Sequence, residues 1–242
     1  MTSVSPNALI WRQHNAHATF ISRGLLTFHF HIQRVRAIWF ARGTSVLKRT
    51  MDVLGSLCAL ILLTPIFMIV AILVKIEDGG PVFFAQRRVG QYGREFKMFK
   101  IRSMCMNAEQ KLKELEAQNQ HKDGVTFKIK NDPRITRVGR WLRKFSIDEL
   151  PQFYNVLKGD MSLVGPRPPV PSEVSKYSLA HRRRLAIKPG ITCIWQISGR
   201  AEIDFSGQVQ LDVDYIENIS VWTDVKILAR TVPAVISGKG AY

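Results

Sequence analysis

The sequence predicts an α+β fold: a small, mostly helical domain with a short β-hairpin, one re-entrant, proline-kinked membrane helix and amphipathic interfacial helices. Three observations lead there. The run from Val53 to Val74 carries no charged residue, two short aromatic stretches flank a turn at Gln91-Tyr92-Gly93, and from Arg137 onward short apolar stretches are punctuated by Gly and Pro.

At roughly 1.5 Å rise per residue, Val53 to Val74 is long enough to match a hydrocarbon core of about 30 Å. A soluble core helix is rarely apolar all round, and the start near residue 50 argues against a signal peptide. Thr64-Pro65 sits near the midpoint. Proline removes a helix hydrogen bond at a cost of about 3 kcal/mol, part of which the Thr64 hydroxyl offsets by bonding a carbonyl. Arg42, Lys48 and Arg49 precede the run, and Lys75, Arg87 and Arg88 follow it, so basic residues favour the cytoplasm on both sides. The expectation is a hairpin that enters the bilayer and returns at Thr64-Pro65, rather than a kinked single span.

Residues 1–47 carry Arg12, Arg23, Arg34, Arg36 and Arg42 among aromatic residues and no acidic residue, a pattern that suits either an anionic membrane surface or a disordered leader. After Lys75, Asp78-Gly79-Gly80-Pro81 is a turn, and Val82-Phe83-Phe84 and Phe96 to Phe99 form the hairpin strands. Asn107 with Gln110 caps a helix to about Gln120, with a loop from His121 to Gly124. Helices are expected at Arg137 to Lys144, at Leu150 to Lys158 with Gly159 as its C-cap, at Tyr177 to Ile187, and at Val225 to Ile236. The third carries Arg182, Arg183 and Arg184 as a solvated or headgroup-facing side, and the last also suits a membrane surface.

Lys and Arg outnumber Asp and Glu 35 to 19, a formal charge of +16 that calls for anionic partners. The three cysteines, Cys58, Cys105 and Cys193, are far apart and form neither a disulfide framework nor a zinc site. No Walker A sequence, G-x-G-x-x-G or H-E-x-x-H is present. The informative run is Arg143 to Gln152, where Asp148 and Glu149 stand side by side. A helix starting near Asp148 puts Pro151 in its first turn and both carboxylates at the positive end of its dipole, favouring their ionised forms. By itself this is compatible with helix capping. The surrounding cations point to chemistry on phosphate: Arg143 lies five positions upstream, Gly165-Pro166-Arg167-Pro168 offers an arginine on a stiff loop, and Lys100 and Arg102 form a third basic element. A divalent ion, Mg²⁺ by preference, would complete the neutralisation with carboxylate and diphosphate oxygens.

These residues resemble the bacterial sugar transferases, the monotopic polyprenyl-phosphate phosphoglycosyl transferases. The likeness covers nearly all of Lys48 to Tyr242. It runs through Lys48-Arg49-Thr50-Met51-Asp52, Gly80 to Phe84, Lys100 to Met104, Asp132-Pro133-Arg134, Ser146 to Gln152, Lys158 to Pro168 and Lys188 to Thr192. Trp195 to Arg200 and Gly238 to Tyr242 are similar to the exopolysaccharide branch, whose members transfer galactose or glucose 1-phosphate.

The resemblance implies that Asp148 attacks the β-phosphorus of a UDP-sugar, releasing UMP, and that the phosphosugar passes to undecaprenyl phosphate as the first step of exopolysaccharide synthesis. Glu149 would assist as metal ligand or base. Asp148 and Glu149 would hold Mg²⁺, while Arg143, Arg167, Lys100 and Arg102 bind phosphate. Thr64-Pro65 replaces the family's usual Ser-Pro bend, and Ile101 and Cys193 depart from its common residues. The implied organisation is a basic extension (1–47), a re-entrant helix (48–75) and a cytoplasmic phosphoglycosyl transferase domain (76–242), a compact form without the extra amino-terminal spans of larger members. Expected partners are UDP-sugar, undecaprenyl phosphate and the bacterial inner membrane, with no nucleic acid and a homodimer as the assembly to test.

A non-catalytic membrane scaffold would use the basic face and leave Asp148 idle. A nucleic-acid binder would leave both Val53 to Val74 and Asp148-Glu149 unexplained.

Overall fold

The computed structural model describes residues 20–108, 110–111, 132–199 and 203–238. The expected helix to Gln120, the loop from His121 to Gly124, Arg200, the terminal Lys239 to Tyr242 and the first residues of the basic extension lie outside them. The chain divides between Leu47 and Lys48.

Helix α1 runs over Phe20–Asp78, and its stretch Ser45–Asp78 is long and apolar enough to cross a membrane. The helix includes Pro65, where the Thr64 hydroxyl donates to Leu60 O at 2.8 Å. Near the start of the apolar stretch, Arg49 donates to Val156 O at 2.6 Å and Leu157 O at 2.7 Å, while Asp52 accepts from Ser162 Oγ at 3.0 Å and Leu163 N at 2.9 Å. Lys48 reaches Asp224 at 2.5 Å and Val164 O at 3.1 Å. Near its other end Val70 and Val74 are buried against Ile101 and Leu142. Between these anchors Leu57, Ile61, Leu62, Ile66, Met68 and Ile69 are exposed.

The hairpin is longer than the sequence suggested. Strands β1 (Phe83–Val89) and β2 (Glu95–Ile101) pair antiparallel, with Phe84 opposite Lys100 and Arg88 opposite Phe96. Tyr92 in the connecting turn has φ 57°. Helix α2 (Arg137–Lys144) matches expectation. The Thr136 hydroxyl caps it by accepting from Gly139 N at 2.9 Å, and Glu77 Oε1, from the end of α1, accepts from Arg137 N at 2.7 Å. A carboxylate at that end complements the helix dipole. Gly139 is required there: a Cβ would stand 2.0 Å from Ser103 O.

Helix α3 spans Gln152–Lys158 and ends on Gly159 at φ 96°. Strand β3 (Ser162–Val164) follows, then the short helices α4 (Pro171–Val174) and α5 (Leu179–Arg182) and a 3₁₀ turn at Arg183–Ala186. The single basic helix expected over Tyr177 to Ile187 is thus two short pieces, and its arginines are not all solvated. Arg184 is buried against Asp212 at 2.6 Å and faces the Tyr177 and Phe205 rings. Burial raises the Asp212 carboxyl to about 6, with Arg184 opposing the rise. Strand β4 (Gly190–Thr192) pairs parallel with β3, and helices α6 (Ile194–Ser198), α7 (Phe205–Glu217) and α8 (Val221–Ser237) complete the described chain. Helix α8 starts four residues earlier than expected because Ser220 caps it, and it retains Pro233 inside.

The main core gathers Met98, Val156, Met161, Leu163, Val164, Tyr215 and Ile227, joining the hairpin, α3, β3, α7 and α8. Asn155, fully buried, fastens α3 to β2 by accepting from Phe99 N at 3.0 Å and donating to Lys97 O at 2.7 Å.

Candidate active site

Asp148 and Glu149 lie in a 3₁₀ turn, Ile147–Glu149, between α2 and α3. The α-helix itself begins at Gln152, so neither carboxylate belongs to its first turn as the sequence suggested. The chain reaches this turn through Ser146, which holds φ 54°, a left-handed conformation that non-glycine residues rarely adopt. Ser146 N donates to Arg143 O at 3.1 Å and Glu149 N to Ser146 O at 3.2 Å, fixing the reversal. Asp148 is thereby buried, 5% exposed, while Glu149 stays half-buried.

Lys100, set on β2 by the Asn155 fastening, donates to Glu149 Oε1 at 2.7 Å. The two neighbouring carboxylates then diverge. Burial raises Asp148 above its ordinary pKa of 3.8, the Glu149 charge adds to the rise, and Lys100 and Arg143 offset only part of it. Burial acts on Glu149 in the same sense, but the charge and hydrogen bond of Lys100, with Arg167 and Arg88, outweigh it and its pKa is lowered. At Asp148, which precedes the helix rather than opening it, desolvation outweighs the favourable charges and disfavours the anion.

Glu149 opens onto a shallow cleft lined also by Arg88, Met98, Lys100, Gln152, Arg167, Pro168, Gly190, Ile191 and Gln196. Its Gly190 wall is set by two backbones in close approach. Gly165 N donates to Thr192 O at 3.0 Å and Gly190 N to Pro166 O at 2.9 Å, and a Cβ on Gly190 would stand 2.1 Å from Gly165 N. This crossing fixes the loop that presents Arg167, whose guanidinium lies 3.5 Å from Glu173 Oε1. Glu173 in turn accepts from Val170 N at 3.2 Å, closing the loop on itself.

The structure brings Glu149, Lys100 and Arg167 into one cleft, with Asp148 next in the chain. Arg143 ends α2 close enough to act electrostatically on Asp148, but is not part of the cleft wall. Arg102 is engaged elsewhere: its guanidinium is taken by both Asp78 oxygens and by Pro81 O, which ties the end of α1 to the hairpin. Sequence reasoning missed Arg88, Gln152 and Gln196. Gln152 and Gln196 sit inside motifs already noted; Arg88 was read as a basic flank of the membrane segment. Its signal was the two-residue strand period, which sets Arg88 on the face opposite to exposed Arg87. Among the described residues no group of three or more His, Cys, Asp or Glu side chains gathers to hold a metal ion.

The bacterial sugar transferase profile matches residues 43–238. A galactosyl transferase, CpsE, of Streptococcus agalactiae is 51% identical over 81% of this chain and 43% of its own length. The undecaprenyl-phosphate galactose phosphotransferase of Salmonella typhimurium is 45% identical over 83% of this chain and 43% of its own length. The exopolysaccharide production protein ExoY of Sinorhizobium fredii is 42% identical over 91% of this chain and 98% of its own. The chain thus spans less than half of the first two relatives and nearly all of the third. With the acidic pair, the Arg167 loop and the apolar helix all inside the matched region, the chain belongs to the bacterial sugar transferase family.

Proposed function

We propose that this chain transfers a hexose 1-phosphate, galactose or glucose, from a UDP-sugar to undecaprenyl phosphate, initiating exopolysaccharide synthesis. The observation that carries the reading is a buried aspartate adjoining an ion-paired glutamate beside a cleft walled by arginines. An Asp148 carboxylate oxygen forms a bond to the β-phosphorus as the bond from that phosphorus to the bridging oxygen breaks, and UMP departs with that oxygen. An oxygen of undecaprenyl phosphate then attacks the same phosphorus, the aspartyl–phosphorus bond breaks, and the Asp148 carboxylate is regenerated. Arg167 and Lys100 offset the anionic charge of donor and acceptor, with Arg143 acting on Asp148 from outside the cleft.

The hard oxygens of Asp148 and Glu149 suit Mg²⁺ as a two-carboxylate set completed by phosphate oxygens and water. When bound, the ion supplies charge neutralisation of the diphosphate.

The membrane reading is a helix whose two ends lie on one side, at the cytoplasmic face of the bacterial inner membrane. Its support is that Arg49 and Asp52 near one end, and Val70 and Val74 near the other, dock on the same domain while the residues between them are exposed. The exposed Trp222, Val232 and Ile236 of α8 suit the adjoining interface.

The test is UMP release by the purified chain from a panel of UDP-sugars with undecaprenyl phosphate. UDP-galactose or UDP-glucose should serve, chelation should stop the reaction, and added Mg²⁺ should restore it. No release with any UDP-sugar would overturn the proposal.

A further inference from the structure

Of the cations lining the cleft, Lys100 is paired with Glu149 and Arg167 with Glu173. Arg88 differs. Its guanidinium is buried, and its hydrogen-bond partners are neutral oxygens: Pro168 O from Nη1 at 2.9 Å, and Gln86 Oε1 from Nε at 3.1 Å and from Nη2 at 2.6 Å. Those bonds leave part of the five-donor fork unused. Among the described residues no carboxylate forms an ion pair with it.

A buried charge without a direct ion pair is costly, and a second cation nearby adds to the cost. Burial, and then the Arg167 charge, push the Arg88 pKa down to about 9, while the nearby Glu173 and Glu149 charges act in the opposite sense without outweighing them, and the guanidinium remains protonated. The amide and carbonyl grip orients the group without neutralising it. A carboxylate in their place would compete with any incoming anion.

We propose, resting on the transferase reading above, that Arg88 is a ligand-binding residue: together with Arg167 it clamps an anionic tetrahedral phosphate group in the cleft. That group can come from the diphosphate of the donor or the monophosphate of the lipid acceptor. Inorganic phosphate carries the same chemistry and serves as the probe.

The full chain in detergent micelles is titrated calorimetrically with inorganic phosphate as wild type, Arg88→Gln, Arg88→Lys and Gln86→Leu. Arg88→Gln should weaken binding about tenfold or more, the weight of a charge-assisted hydrogen bond. Arg88→Lys should fall between, and Gln86→Leu, which leaves the charge in place, should lose less than Arg88→Gln. Thermal melts of all four keep folding losses apart from binding losses. Wild-type affinity in Arg88→Gln, absence of saturable binding by wild type at millimolar phosphate, or an equal loss in Gln86→Leu would each overturn the assignment.

Two kinetic arms then separate the sources. Loss of UMP exchange into UDP-galactose without lipid assigns the donor phosphate, and a raised KM for undecaprenyl phosphate with exchange intact assigns the acceptor. No effect in either arm overturns the proposal. Phosphate binding that depends on Arg88 in a chain that uses no UDP-sugar would sink the transferase reading and leave the anion site standing.

Discussion

Lys100 Nζ donates to Glu149 Oε1 at 2.7 Å, and that bond splits two adjacent carboxylates into different electrostatic states. Glu149 is held as an anion, while Asp148, buried beside it, is held toward its protonated form. Two adjacent carboxylates are thereby told apart by environment.

The acid limb of kcat/KM should follow from this. In the proposed mechanism Asp148 must be ionised to attack, and its pKa is raised, so activity should rise with pH through a value higher than that of an ordinary aspartate. Lys100 lowers the pKa of both carboxylates, so Lys100→Met should shift the limb to more alkaline pH. Profiles measured by UMP release decide it, and an unmoved limb would rule out Lys100 as the group that sets the ionisation.

Asp148→Asn should abolish both turnover and UMP exchange while leaving a protein more stable than wild type at neutral pH. The sign follows from linkage. Below the unfolded pKa both states are protonated and the variant gains nothing; above the raised folded pKa wild type carries a penalised buried anion that the amide lacks. Melting temperatures across pH should show the gap closing toward acid. A destabilised Asp148→Asn at neutral pH would instead mark Asp148 as a structural residue.

Asn155→Leu tests the fastening that places Lys100. It removes the bonds to Phe99 N and Lys97 O and leaves both groups without that partner, so a loss of about 2 to 4 kcal/mol is expected in denaturant titrations. Surviving activity should show an acid limb displaced in the same direction as in Lys100→Met.

Topology is tested with single cysteines near residues 30 and 120 in a cysteine-free background. Both should resist a membrane-impermeant reagent in intact cells if the two ends of the apolar stretch share the cytoplasmic side. Labelling near residue 30 alone would favour a full span. Pro65→Leu should expose that site by straightening the helix, against about 2.5 to 3.5 kcal/mol for each arginine held at mid-bilayer.

Much of this molecule was legible because its signals are local. The absence of charge from Val53 to Val74, the cap at Thr136 and Gly159 after α3 each mark an element by short-range chemistry. The parallel pair β3 and β4 was not, since three-residue strands joined across Gly165 and Gly190 have no periodicity to read. Helix α7 escaped for a related reason, its burial being set by partners such as Arg184 that are distant in sequence. At the site, Asp148, Glu149, Lys100 and Arg167 stood in recognisable runs, whereas the strand period sets Arg88 on a face without saying that the face meets the cleft, and the raised pKa of Asp148 depends on a burial that no spacing encodes.

Asp52 sits inside the helix that carries the apolar stretch, yet its carboxylate is buried and satisfied by Ser162 and Leu163 of the domain. Anchor and enzyme are therefore not separable modules. Cutting the chain after the apolar stretch would orphan the Leu163 amide and the Ser162 hydroxyl, which lead into the Arg167 loop, so a truncated, water-soluble version should lose its catalytic architecture along with its lipid tether. Detergents that disturb the helix should lower cooperative melting of the whole domain, and thermal scans across detergents of different chain length can read that dependence directly.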